Sequence, residues 1–210
     1  MGAPSIKDQV YEGILNDILD GVYDVNSVIK EKDMIEKYQV SKTPVREALV
    51  QLCGDNILRN IPRFGYQLVA ITPQNIIDVI EFRKIIETGA LNSCFYKLKH
   101  EEIMELKELT EQTTKIEKIH NQKIHWRWNM DFHKKLCSFC RNSYLQEALE
   151  NSLRVCTVIS NQYYTSVWSK QRTTGVDNHK KIIAAIEEQN IDEAITALIA
   201  DIDEMKSEIL

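Results

Sequence analysis

The 210 residues are 43% hydrophobic and 27% charged, enough for one large domain or two small ones with real cores. No apolar run reaches bilayer length and the first five residues lack a signal-peptide core, so a cytoplasmic protein is expected and a membrane partner is not. The net charge is −5, and residues 1–72 hold eight cations against ten acids, so a broadly basic nucleic-acid surface is excluded and any DNA contact must rest on a local positive field.

Val10, Tyr11, Ile14, Leu15 and Ile18 form a helical stripe in residues 5–20, closed by Gly21. A short helix near Glu31–Tyr38 turns Met34, Ile35 and Tyr38 inward, and Gln39-Val40-Ser41 leads into a third helix ending near Gly54. Pro44 suits a first turn, with Ser41 or Thr43 as the cap. Val45, Ala48, Leu49 and Leu52 make the buried stripe, while Lys42 and Arg46, four apart, share another face. Hydroxyls, cations and free N–H groups at a helix start suit phosphates, and Arg46 suits a guanine edge. Two β-type runs, Ile57–Ile61 and Tyr66–Ala70, then flank Pro62-Arg63-Phe64-Gly65 as a hairpin. Helix, helix, helix, hairpin is a winged helix-turn-helix, with Arg63 at the wing tip.

This stretch resembles the N-terminal domain of GntR-type bacterial transcription regulators. The resemblance rests on Gly21-x-Tyr23, Ile29-x-Glu31, the run from Val40 through Leu49 with Leu52, and Arg63-x-Gly65. It implies DNA contact by Ser41, Lys42, Thr43, Arg46, Arg63 and Gly65. The chain departs from the family at two turns, with Val25-Asn26 for Pro-Gly and Asp55-Asn56 for Glu-Gly.

Thr72-Pro73 reads as a helix start and a domain boundary, dividing 1–72 from 73–210. Six helices are predicted beyond it: to about Leu98, His100–His120, Asn121–Phe139, Tyr144–Val167, Thr173–Glu188 and Ile191–Glu208. Short loops make them an antiparallel bundle of six or seven helices. The five cysteines are odd in number and irregularly placed, so Cys137-x-x-Cys140 reads as buried free thiols and not a disulfide or zinc motif. Trp126, Trp128 and Trp168 read as core or dimer-contact residues.

His125, Asn129 and His133 recur every four residues on one face, with His179 and Asp201 on later helices. Imidazole, amide and carboxylate groups converging in a bundle can hold a divalent cation, and they can equally be ordinary buried side chains. Here the sequence resembles the FCD ligand-binding domain of the FadR subfamily. The matching segments are Asn129-x-x-Phe132-His133-x-x-Leu136, Arg141-Asn142, Asn178-His179-x-x-Ile182 and Asp192-x-Ala194. The resemblance implies a zinc- or nickel-like ion at Asn129, His133, His179 and Asp201, the last replacing the family's histidine. It also implies a small carboxylate effector near Arg83, with Arg154 a weaker candidate; a plain Arg83–Glu87 salt bridge is the alternative. The whole reads as a homodimeric, metabolite-responsive regulator of a palindromic operator in double-stranded DNA. The rival is a metal-dependent enzyme on the bundle, with His125 or Asp131 as general base.

Overall fold

The computed structural model describes residues 4–117, 122–162 and 176–209. They divide into two compact units. One runs to Thr72 and takes in the last turns of a later helix from Val155; the other comprises Pro73–Arg154 and the C-terminal helices.

In the first unit α1 (Ile6–Leu19) opens on a capping box between Ser5 and Asp8, which satisfies backbone donors that a helix start leaves unpaired. Its stripe of Val10, Tyr11, Ile14, Leu15 and Ile18 is buried as the spacing predicted. α2 (Glu31–Tyr38) ends at Gln39, whose φ of 54° reverses the chain tightly into α3 (Lys42–Gly54). Ser41 holds the cap position of α3, though its hydroxyl makes no capping bond. Val45, Ala48, Leu49 and Leu52 are each 0% exposed, so the opposite face of α3 is the one left to solvent. α1 and α2 meet closely at Gly13, where a Cβ would lie 2.6 Å from the Tyr38 ring.

The wing is more than a hairpin. β2 (Leu58–Ile61) pairs antiparallel with β3 (Gly65–Leu68), and β1 (Val28–Ile29) pairs with the other edge of β3, giving the order β1-β3-β2. A two-residue strand is too short to show alternation, so sequence periodicity passes over β1. Ile29 turns into the core and Val28 outward. The connection after β3 is held by Gln162, which donates to the Val69 carbonyl at 2.9 Å and accepts from the Ile71 N–H at 3.1 Å.

The second unit is helical throughout its described residues. α4 (Pro73–Cys94) begins at the predicted proline and runs into a 3-10 turn at Phe95–Lys97. α5 (His100–Glu117), α6 (Gln122–Ser138) and α7 (Ser143–Gln162) follow. α8 (Val176–Glu187) and α9 (Ile191–Ile209) complete it. The expected ends of the fourth and fifth bundle helices, 163–167 and 173–175, lie outside the described residues, as does Trp168. Asn142 caps α7 by accepting from the Tyr144 and Leu145 N–H groups, and Asn190 does the same for α9 through Glu193. α9 packs on α4 and α8, and α5 on α6 and α8. Ile86, Ala90, Met130, Cys137, Leu149 and Leu153 form one core cluster, with Trp126 against it. Cys94 and Cys137 are buried free thiols; burial pushes them up to about 11 and about 12, so neither is a thiolate near neutral pH.

Candidate DNA-reading face and effector site

On α3 the Lys42 and Arg46 side chains are 68% and 67% exposed. Between them lies Glu31, the first residue of α2. Its carboxylate stands 3.6 Å from Lys42 Nζ and 3.9 Å from Arg46 Nε, and it accepts from the Tyr66 hydroxyl at 3.4 Å. Exposed pairs of this length hold side chains loosely, contributing about 0–1 kcal/mol each, so a phosphate can displace the carboxylate. Ser41 and Thr43 are exposed beside them.

Arg63 sits at the wing turn with φ 72°, exposed next to Phe64. Gly65 has φ 135°, and a Cβ there would come 2.5 Å from the Ile29 carbonyl oxygen. That position demands glycine for backbone reasons, which gives Gly65 a role in shaping the wing whatever it meets in DNA.

The second site lies inside the helical unit. α4 buries a stripe through Ile76, Ile80, Ala90 and Leu91, and this stripe also carries Arg83 and Glu87. Both ions are almost fully enclosed, at 2% and 3% exposed. The Arg83 Nε–H donates to Glu87 Oε1 at 2.8 Å, so the salt-bridge alternative for Arg83 is realised. Glu87 Oε2 takes His133 Nδ1 at 2.7 Å. The other imidazole nitrogen of His133, Nε2, lies 2.9 Å from Asp201 Oδ2, without the alignment of a hydrogen bond. His179 Nε2 lies 3.5 Å from Asp201 Oδ1, and its ring stacks on Phe132 with centroids 3.7 Å apart.

His133, His179 and Asp201 thus come together from α6, α8 and α9, with one ligand atom of each within 4.8 Å of the others. Asn129, one turn before His133, has a buried Oδ1 that makes no hydrogen bond, as does Asp201 Oδ1. Arg154 is engaged elsewhere, with Asn151 and Glu150 of its own helix. His125 has its side chain outside the described set, and Asp131 is half-buried on another face of α6. Sequence reasoning had treated Glu87 only as a mate for Arg83. The available signal was two opposite charges four apart inside an apolar stripe.

Electrostatics tie the cluster together. Burial is the largest influence on His133 and disfavours its imidazolium, but the Glu87 and Asp201 carboxylates on its two sides together outweigh burial and Arg83 and lift the group to about 9. Burial likewise opposes ionisation of Glu87 and Asp201. Arg83 and His133 overcome it for Glu87, His179 and His133 overcome it for Asp201, and both carboxyls end below their ordinary range.

An exposed cationic helix start beside a wing, followed by a helical unit enclosing a buried ionic cluster, fits a DNA-binding regulator with a ligand-sensing domain. The chain belongs to the gntR family of bacterial regulatory proteins, whose domain matches residues 6–67, and it carries an FCD domain over residues 78–204. It is similar to the HTH-type transcriptional regulator YdhC of Bacillus subtilis, 25% identical over 198 residues, 91% of this chain and 85% of that one. The HTH-type transcriptional repressor GlaR of Escherichia coli is 20% identical over 187 residues, 84% of this chain and 83% of that protein. The solved structure of E. coli McbR/YncC shares the fold, with a TM-score of 0.82 at 18% identity over 96% and 95% of the two chains. This family consists of transcription regulators and not enzymes, which sets the metalloenzyme reading aside.

Proposed function

We propose that this protein is a cytoplasmic homodimeric regulator whose affinity for a palindromic operator is set by a small carboxylate held in the helical unit. The observation that carries the DNA half is the sidedness of α3: its apolar face is wholly buried while Lys42 and Arg46 stand out with Ser41 and Thr43. Laid in a major groove, that face gives Arg46 a base edge and Lys42, Ser41 and Thr43 the phosphates. Arg63 and Gly65 bring the wing to the adjacent groove or backbone. Two copies on a two-fold axis read two half-sites. Phe82 and Ile85, exposed on α4, offer apolar surface for the pairing.

For the effector half, the donor set fits a zinc- or nickel-like divalent ion: two imidazoles and a carboxylate converge, and Asn129 Oδ1 and Asp201 Oδ1 are buried without hydrogen bonds. His133, His179, Asp201 and Asn129 would hold the ion, which supplies a positive anchor for a carboxylate oxygen. Arg83 adds a buried guanidinium on the His133 side. Arg154, bonded to Asn151 and Glu150 of its own helix, is the weaker candidate for the same carboxylate.

Selection from random-sequence duplexes, then titration of the enriched sequence in varied salt, tests the reading. A two-fold symmetric site and a linear fall of log affinity with log salt are expected. Failure to enrich any sequence would overturn it.

A further inference from the structure

The middle member of the buried ionic row is Glu87, which faces a guanidinium on one side and an imidazole on the other. Its two oxygens are divided: Oε1 takes the Arg83 Nε–H at 2.8 Å and Oε2 takes His133 Nδ1 at 2.7 Å. It stands outside the triad of possible metal ligands, which is His133, His179 and Asp201. An imidazole has two nitrogens on a rigid ring, so fixing Nδ1 also fixes where Nε2 points. Here Nε2 lies 2.9 Å from Asp201 Oδ2, within the triad. Arg83 and Glu87 lie one turn apart on a single helix, so the guanidinium is registered against the same carboxylate.

We infer that Glu87 is the positioning residue of this site: it aims His133 Nε2 at a divalent cation and holds the Arg83 guanidinium in step with it, so that cation binding and the placement of Arg83 depend on one carboxylate. The inference rests on the metal reading proposed above. Glutamine in its place keeps the shape but can serve only one of the two donors. Its carbonyl can accept from His133 or from Arg83, and its NH2 then faces the other donor. Either the guanidinium loses its Glu87 contact or the imidazole is left to turn.

The test uses the full chain, stripped of metal and titrated with Co(II) against a competing chelator, with the visible absorption of the bound cobalt recorded. Glu87→Gln should bind Co(II) about 10–100-fold more weakly, the range found for carboxylates behind ligating histidines, with altered absorption bands. Glu87→Asp restores a carboxylate one methylene short and should recover part of the affinity; it also carries the test if the glutamine variant does not fold. A folded Glu87→Gln, or in its default Glu87→Asp, with the parent's affinity and spectrum would overturn the positioning role and leave the metal site standing. A parent protein that takes up no Co(II) would overturn both.

Discussion

Replacing Gly65 with alanine isolates how the wing is built. Gly65 has φ 135°, a region that side-chain-bearing residues rarely enter, at a cost of about 1–3 kcal/mol. The new Cβ would sit 2.5 Å from the Ile29 carbonyl oxygen and 3.2 Å from Val28 Cγ1. The nearer atom is backbone, in the strand that pairs with β3 through Val28↔Gln67 and Ile29↔Tyr66, so it cannot rotate away as a side chain would. Overpacking of this kind adds about 1–3 kcal/mol. Loss of β1 pairing limits the total by relieving the clash, so about 3 kcal/mol is expected. Urea unfolding followed by tyrosine fluorescence measures the loss, and hydrogen exchange locates it at the β1 and β3 amides. Arg63 lies two residues away, so DNA affinity should fall as well. Arg63→Ala is the control: it should weaken DNA binding while leaving the urea midpoint within about 0.5 kcal/mol of the parent. A Gly65→Ala protein with parental stability and slow β1–β3 exchange would refute the backbone argument.

Other substitutions probe the remaining joints. Gly13→Ala gains about 1 kcal/mol of helix propensity, yet its Cβ meets a Tyr38 ring pinned by a 2.8 Å bond to Asp17, so a net loss of about 1–2 kcal/mol is expected. In a Tyr38→Ala background the same change should stabilise, and a loss of equal size there would show the ring is not the obstacle. Arg46→Ala should cost about 1–3 kcal/mol for the selected operator and little for random DNA. Lys42→Ala should weaken both alike and flatten the salt slope by about 1; equal losses on both duplexes for Arg46→Ala would remove it as the base reader. Protein purified without chelator or affinity tag should contain close to one divalent ion per chain by elemental analysis. His179→Ala should lose it, and metal retained by that variant would place the ion elsewhere.

The DNA-reading unit was largely legible in the sequence, because its determinants are local. Val45, Ala48, Leu49 and Leu52 mark the buried face at helical spacing, and Lys42 and Arg46 fall opposite by geometry alone. The starts of α3 and α4 fall beside Pro44 and at Pro73, where a proline fits a first helical turn. Strand β1 was not legible: two residues carry no period, and only pairing with β3, nearly forty residues away, defines them. The backbone need for glycine at position 65 was likewise not legible: it comes from the Ile29 carbonyl of the paired strand.

In the helical unit the sequence by itself determined the kinds of group available: His133 and His179, Asn129 and Asp201, and an Arg83–Glu87 pair one turn apart. Tertiary structure decided which of them meet. Asp201 reaches both histidines across three helices, Glu87 joins Arg83 to His133, and Arg154 turns to Glu150 and Asn151. The reason is range: capping and helical periodicity act over four residues or fewer, whereas a buried charge needs a partner, and only packing brings that partner from another helix.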